Sequence, residues 1–600
     1  MSRISSLVSP WNALIAAGAL FIVLYPVFSD DLYYQNMIIL SLVFAIAAVG
    51  LNIITGYGGY VSLGQGAFLG LGAYTTAILS TKVGLSPFAW VPVAGLLAGI
   101  VAAFLGVVAM RTRGHAFVIL TIAFLFLLRL VVTNWKELTN GTAGLTLPLP
   151  QWSTDYQYWP FYYALVGLLV VSLVLAWWIR RAKFGMGLIA IREDEDKAAT
   201  VGVNTRAYKI LGFAASAVFV GMAGAVYGYY LTFIDPAGMF SILLSVQIIL
   251  SLLLGGRATL WGPVLGAFII EPLNEVTNNE FGGGNARLLI FGGLLALVVL
   301  FLPRGIIPTV KRWLEARRTR GREGLVGAGI ELRERALPAA NPSTAGAEPL
   351  LEVKGLQRHF GGIRAVDGCS FAVPEGSITA LIGPNGSGKT TVFNLIDGTM
   401  TPQAGEVWFD GRRIDRLTPW KRSHLGIART FQITRLFPEM TVLENVVAPL
   451  PSFSFRQLAA DAVSGAEAER AEELLEFVGM ERFRDQPAWA LSYGQQKLVE
   501  FAQVLMLDPR LVMLDEPAGG INPTLTERIG ELIRELVARG KTFLIVEHNM
   551  PFVLGLSRPI LVLARGRTIS RGSPDEIQGD PKVLDAYLGE DFRLEQPVGA

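Results

Sequence analysis

The chain has 600 residues, 52% of them hydrophobic and 17% charged, and its 51 Lys and Arg against 49 Asp and Glu leave a formal net charge of +2. A mean hydropathy of +0.45 is more apolar than soluble chains usually are, and the near-neutral balance has no basic stripe interleaved with aromatics, so nothing marks a nucleic-acid surface. The single cysteine, Cys369, excludes an intrachain disulfide framework and reads as a small buried apolar residue in a reducing compartment.

The apolarity is uneven: up to about Pro303 the chain is a series of apolar runs, and beyond Lys311 it reads as ordinary soluble sequence. Met1–Pro10 carries one Arg before a long apolar stretch, so Trp11–Phe28 reads as a retained first span rather than a removed signal peptide. Runs long enough to cross a bilayer, about 20 residues each, fall at roughly 11–28, 36–54, 64–82, 88–110, 115–133, 159–179, 209–232, 240–256, 260–273 and 286–302. The second and third flank a polar, glycine-rich interruption, Thr55-Gly-Tyr-Gly-Gly-Tyr-Val-Ser-Leu-Gly-Gln-Gly66. Broken helices survive in lipid only where they are buried or line a polar cavity, and transporters place substrate at such breaks. Asn52, Thr55, Ser62 and Gln65 are therefore the candidate substrate path, the alternative being that these glycines serve close helix packing. Arg129 and Glu271 are boundary or intramembrane charges, functional by default in lipid but near enough to span ends to snorkel.

Basic residues cluster on alternate loops: Arg111 and Arg113, then Arg180, Arg181 and Lys183, then Arg257, then Arg304, Lys311 and Arg312. This bias puts the N-terminus and the C-terminal half in the cytoplasm. Within the loop Gly185–Lys209, acidic residues precede an Ala/Val stretch ended by glycine. Taken alone the charge run suits a solvated loop; beside the soluble C-terminal half it suits a short coupling helix docked on that half. Residues 311–349 begin basic, suited to anionic lipid headgroups, and end rich in Ala, Pro, Ser and Gly. A tether of this length spans roughly 35 Å root-mean-square. The expected divisions are an apolar membrane domain at 1–310, a linker at 311–349, a soluble domain at 350–590 and a tail at 591–600.

From Leu351 short apolar strands alternate with glycine. The buried strand Ser377–Ile382 runs into Gly383-Pro-Asn-Gly-Ser-Gly-Lys-Thr-Thr391 and then a helical pattern, which is a phosphate-binding loop in its strand–loop–helix context. Gly383, Gly386 and Gly388 let backbone N–H groups curl around phosphates, with Pro384, Asn385, Ser387 and Thr391 in the same loop. Lys389 reaches the β/γ-phosphates and the Thr390 hydroxyl suits Mg2+. A second buried strand, Leu511–Leu514, ends in Asp515, placed to hold Mg2+, and Glu516, placed to polarise an attacking water.

Between them Leu491-Ser-Tyr-Gly-Gln-Gln496 resembles the signature motif of ABC ATPases, in which the Ser and Gly, here Ser492 and Gly494, face the ATP bound by an opposite ATPase domain. Tyr493 departs from the commoner Gly. The resemblance further implies that Phe360 stacks on adenine and that Gln432 senses Mg2+, water and the permease. It likewise makes His548 the switch histidine at the γ-phosphate and places Asn522 in the D-loop. His115, His359 and His424 have no such support.

Together the halves resemble the branched-chain amino acid (LIV-type) ABC importer family, with one permease and one ATPase fused. The strings that carry this are Gly50–Phe68, Arg113-Gly-His-Ala-Phe117, Leu254–Gly266 and Phe301-Leu-Pro-Arg-Gly305 on one side, and Gly426–Gln432, Leu491–Gln496 and Val546-Glu-His-Asn-Met550 on the other. The resemblance implies a polytopic α-helical membrane domain followed by an α/β P-loop ATPase, ATP and Mg2+ as cofactors, and import across a bacterial inner membrane. It also implies a second permease, a second ATPase and a periplasmic substrate-binding protein as partners, with no nucleic acid. Relatives carry branched-chain or related amino acids, urea, short amides or aromatic acids, so the cargo stays open among these. A homodimer, in an importer or in an ABC exporter, is the competing assembly; a non-transport ABC regulator does not account for the membrane half.

Overall fold

The computed structural model describes residues 31–319 and 349–594, apart from 113, 151, 153–157, 282–284 and 451, together with 18, 22 and 24–28. Most of the expected first span, Arg113, most of the linker and the end of the tail lie outside the described residues. The chain divides into two compact units, one of residues 1–192 and 206–326, the other of residues 193–205 and 327–600.

The first unit is helical. Among the described residues, seven helical stretches are long and apolar enough to cross a membrane, and the helices Gln65–Val83 and Gly262–Phe281 occupy two further expected spans. Leu32–Leu51 is apolar on every side, and from Ser41 onward it is buried throughout, as expected of a helix enclosed by others. The outer helices differ. Val91–Ala109 exposes Leu96, Ile100 and Phe104 but buries Ala94, Gly95, Ala98, Gly99, Ala102 and Gly106. That stripe of small residues lets backbones approach in lipid: a Cβ added at Gly99 would meet Val218 Cγ2 at 2.6 Å, on the helix Thr205–Leu231. Arg129 lies on the exposed face of His115–Asn134, whereas Glu271 is buried and accepts from Asn274 Nδ2 at 3.1 Å.

The expected interruption has a definite form. The helix Leu32–Leu51 continues as a π-helical turn, Asn52–Tyr57, runs irregularly through Gly58–Gly64, and restarts as Gln65–Val83. Helix breaks free backbone groups, and in hydrocarbon each must find a partner. Asn52, at the start of the break, partners two backbone groups of another segment: its Nδ2 donates to Thr259 O and its Oδ1 accepts from Ala258 N, both at 2.8 Å. Thr55 Oγ1 donates to Tyr60 O at 2.9 Å, and Gly66 N donates to Ser245 Oγ at 2.9 Å.

The second unit joins two sheets. One is antiparallel, in the order Ile363–Pro374, Pro349–Phe360, Ala404–Phe409, Arg412–Arg413. The other has six strands in the order Arg567–Gly572, Ile560–Ala564, Ile378–Ile382, Thr542–Val546, Leu511–Asp515, Ile427–Arg429. Ile378–Ile382, Leu511–Asp515 and Thr542–Val546 are buried at every position, the pattern of parallel strands covered on both faces. Val546 stands in register with both Leu381 and Asp515, so these three strands end at one level. In open parallel sheets, ligands bind beyond that carboxyl edge.

The double use of Asn52 gives a stability prediction. N52L leaves the Ala258 N–H and the Thr259 carbonyl without their partner, at about 1–3 kcal/mol for each orphaned group. A thermal scan of the detergent-solubilised chain should show a lower unfolding midpoint; an unchanged midpoint would contradict the role assigned to this side chain.

Candidate functional site

At the carboxyl edge of the parallel sheet, the strand Ile378–Ile382 turns through Gly383, Gly386 and Gly388, whose φ values of 152°, 76° and 102° suit residues lacking a Cβ. The helix Lys389–Asp397 follows. Lys389 Nζ is drawn into the loop, donating to Gly383 O at 2.7 Å and Pro384 O at 2.9 Å. Ser387 Oγ is buried in the same loop with no protein partner, while Asn385, Gly386 and Thr390 are exposed and Thr391 is half-buried. A curled backbone at a helix N-terminus, an ammonium and an unsatisfied hydroxyl form an anion cradle, and the orphaned Ser387 hydroxyl fits a phosphate oxygen. Phe360 is 41% exposed at a strand end, with the Arg358 guanidinium 5.2 Å from its ring centre, so one aromatic face remains available for stacking.

The strand Leu511–Asp515, separated from Ile378–Ile382 by Thr542–Val546, brings Asp515 to the same edge, 2% exposed. Its Oδ2 accepts from Arg429 Nη2 at 2.9 Å, and Arg429 also pairs with Asp397 and with Asn394 Oδ1 at 2.6 Å. Burial pushes the Asp515 carboxyl up from its ordinary value, and Arg429 opposes that shift. A guanidinium between two buried carboxylates thus ties the end of the phosphate-loop helix to the end of this strand. A carboxylate and the Thr390 hydroxyl are oxygen donors of the kind a hard cation takes.

Glu516 has φ 50°, in the left-handed region, and its N–H donates to Val546 O at 2.8 Å. Its Oε1 lies 3.2 Å from His548 Nε2. Glu547, buried beside it, accepts from Ala518 N at 2.6 Å and His548 N at 2.7 Å, locking the two strand ends together. The carboxylate and the imidazole singled out in the sequence are therefore adjacent, and both remain partly exposed.

Ser492 caps the helix Tyr493–Leu505, its Oγ accepting from Gln495 N and its own N–H donating to Gln495 Oε1 at 2.9 Å. Gly494 sits where a Cβ would come 2.7 Å from Leu525 Cδ2. Gln432 is exposed, and its carbonyl accepts from Tyr493 Oη at 3.3 Å. Asn522 caps the helix Pro523–Ala538, accepting from Leu525 N at 2.8 Å. Cys369 is fully buried, 3.4 Å from Thr568 Oγ1, and burial pushes its thiol up to about 11, which removes it from nucleophilic chemistry.

The four residues of the expected substrate path divide into two kinds. Asn52 and Thr55 spend their polar atoms on the backbone around the helix break, as above. Ser62 Oγ and both amide atoms of Gln65 are buried with no protein partner. Gln65 opens a helix of 19 residues.

The segment between Arg192 and Arg206 belongs to the second unit. Asp194 caps the short helix Glu195–Thr200, accepting from Lys197 N at 2.9 Å, and its other oxygen pairs with Arg435 at 3.2 Å. Val201 O accepts from Leu450 N at 2.9 Å, and Gly202 O lies 3.0 Å from His424 Nε2. Lys197 forms a buried ion pair with Glu500 at 2.8 Å. Arg429, Lys197, Lys497 and Glu500 were not singled out in the sequence; only the odd placement of charge within apolar stretches marked them.

A family model described as the branched-chain amino acid transport system / permease component matches residues 33–300, and one described as ABC transporter matches residues 366–519. A third, the branched-chain amino acid ATP-binding cassette transporter, matches residues 567–593. The high-affinity branched-chain amino acid transport ATP-binding protein LivG of Salmonella typhimurium is 39% identical over 258 residues, which are 41% of this chain and 99% of that protein. The chain belongs to the branched-chain amino acid family of ABC transporters. BraF of Pseudomonas aeruginosa matches with the same identity and coverage, and a probable LivG of Archaeoglobus fulgidus is 39% identical over 254 residues, 41% of this chain and 98% of its own. A solved nucleotide-free ATP-binding cassette from an ABC transporter is 35% identical, covering 40% of this chain and 99% of that one at a TM-score of 0.37. As a member of this ABC family, the chain is a multi-pass membrane protein whose C-terminal unit binds and hydrolyses ATP.

The buried Arg429 cluster gives the second prediction. R429M leaves Asp397 and Asp515 without their cation, at about 3–5 kcal/mol for a broken buried pair, and drives the Asp515 carboxyl still higher. A raised carboxyl favours the fold while protonated and loses that contribution as pH rises through its folded value, so the destabilisation should ease toward acid pH. The acid limb of ATPase activity should move to higher pH. A pH series of thermal midpoints and ATPase rates checks both; identical profiles for R429M and the parent would contradict the assignment.

Proposed function

We propose that this chain is the permease-and-ATPase half of an importer that uses ATP to carry branched-chain or related amino acids across a bacterial inner membrane. The observation that carries the reading is the Glu516–His548 pair, 3.2 Å apart at the sheet edge that also holds the phosphate loop. The assignment to residues 1–310 as permease, 311–349 as linker, 350–590 as ATPase and 591–600 as tail is part of the same proposal. So are a cytoplasmic N-terminus and ATPase, a second permease, a second ATPase and a periplasmic binding protein. The relatives, all named as branched-chain amino acid transport proteins, support the cargo class.

In the mechanism, Gly383–Thr391 receives the triphosphate through backbone N–H groups, with the Lys389 ammonium turning from the loop carbonyls to the β/γ-phosphates. Phe360 offers its exposed face to adenine. Thr390, Gln432 and Asp515 would hold Mg2+, which when bound neutralises charge on the phosphate oxygens. Glu516 takes the proton of the attacking water, and His548 orients that carboxylate and faces the γ-phosphate. Ser492 and Gly494 complete the site of the opposite ATPase, so hydrolysis requires two such domains. In the membrane, Ser62 and Gln65 offer the unpaired polar groups that a zwitterionic amino acid passing the Asn52–Gly66 break would use, while Asn52 and Thr55 hold the break open.

Replacing the base tests the chemistry. E516Q in the assembled complex should bind ATP with parental affinity and hydrolyse it at least 10²-fold more slowly, the usual scale for loss of a general base, and ATP-driven uptake of labelled leucine into vesicles should stop. Parental hydrolysis by E516Q would remove Glu516 from this role, and ATP-independent uptake would remove the transport reading.

A further inference from the structure

The two buried ion contacts of the helix Tyr493–Leu505 lie one turn apart. Glu500 pairs with Lys197 at 2.8 Å, with side chains 3% and 0% exposed. Lys197 lies within 5.3 Å of the Phe431 ring centre, and Glu500 Oε1 is also 3.5 Å from Arg435 N. Three residues before Glu500, Lys497 is buried as well, and its Nζ donates to Glu516 O at 2.5 Å and Pro517 O at 3.4 Å. Residues three apart lie on one face of a helix, the Glu500 carboxylate favours the charged form of Lys497, and each of the two holds a different element. Glu516 is the residue with φ 50°, an unfavourable backbone for a side chain of this kind that persists only where neighbours hold it. Its N–H is fixed by Val546 O, and its carbonyl by Lys497.

We propose that Lys197, Glu500 and Lys497 form a charge ladder that connects the segment 193–205 to the peptide carrying Glu516, so that movement of this segment sets the position of the carboxylate. All three are positioning residues. The segment is continuous in sequence with the helices Lys183–Glu193 and Thr205–Leu231 of the first unit. A shift of Lys197 therefore moves Glu500, relaxes or tightens Lys497, and lets the strained Glu516 peptide leave or adopt the conformation that aims the side chain at His548. Tyr493, on the same helix, has its ring 5.5 Å from Lys497 Nζ and its hydroxyl on Gln432 O, which joins the signature motif of this chain to its own ladder. The ladder rests on Glu516 acting as the base, and its test is built to separate the two.

The assembled complex, purified in membranes through this chain, is assayed for ATPase kcat and KM for ATP. K497M should lower kcat at least tenfold and K197M three- to tenfold, each with KM for ATP within twofold of the parent. K497R, which keeps a cation at this position, should recover most of the kcat lost in K497M. Because removing one partner of a buried pair can unfold a protein, the double variant K197M/E500L, apolar at both positions, is measured beside them. It should keep the parental thermal midpoint and still lose kcat at least threefold. Parental kcat in K197M/E500L, or KM rising as far as kcat falls, would reduce the pair to a structural contact and overturn the ladder. E516Q run in parallel separates the premises: an inactive E516Q with a fully active K497M overturns the ladder alone, whereas a fully active E516Q overturns the assignment of the base and the ladder with it.

Discussion

A peptide group withdrawn from water must find another hydrogen-bonding partner, and both units are organised around that demand. In the first unit the demand is sharpest at the break after Leu51, where regular α-helical bonding stops in surroundings without water. At that break the Asn52 amide supplies both a donor and an acceptor to the peptide groups of Ala258 and Thr259, some two hundred residues away, and so ties the break to that distant turn. In the second unit the demand is met by parallel strands pairing at each position. The price is that their ends must stop together, and at that shared edge lie the phosphate loop, Asp515, Glu516 and His548.

Once the edge exists, charge fixes its details. Arg429 joins Asp397 and Asp515 under the site, Glu547 clasps the backbone of Ala518 and His548, and Lys497 holds the carbonyls after Asp515. Each is buried and holds its partners by charge, which makes the arrangement intolerant of a missing partner. Burial lowers the Lys497 ammonium from its ordinary value, but four surrounding carboxylates, Glu500, Glu547, Glu516 and Asp515, favour its charged form. The same electrostatics that holds the site also extends to the segment 193–205, because Glu500, whose charge favours the Lys497 ammonium, is itself ion-paired with Lys197.

Much of this was legible in the sequence where chemistry imposes a local pattern. Apolar runs of bilayer length marked the helices of the first unit, since lipid tolerates little else. The phosphate loop was legible because it needs glycines at fixed offsets between a buried strand and a helix, and Glu516 because it follows that chemistry at a strand end. What was not legible depends on distant pairing. Asn52 resembled a substrate group until its amide was placed on Ala258 and Thr259. The acidic stretch at 193–196 suggested a short helix but not that Lys197 would bury its charge against a residue 303 positions on. Arg429 stood inside a family string with no local clue that two carboxylates from other strands and helices would converge on it.

The central claim is that the segment 193–205 is structurally part of the ATPase unit although it lies between helices of the membrane unit in sequence. With Cys369 replaced by Ser, the chain has no other cysteine, and V201C/L450C places two thiols on residues joined by a backbone hydrogen bond of 2.9 Å. A protease site inserted within residues 320–348 then reports any bond between the halves on a non-reducing gel. The account predicts that mild oxidation keeps the cleaved halves together in V201C/L450C and releases them on reduction, while either single-cysteine variant falls apart. Halves that separate in the oxidised double variant as readily as in the single variants would contradict it.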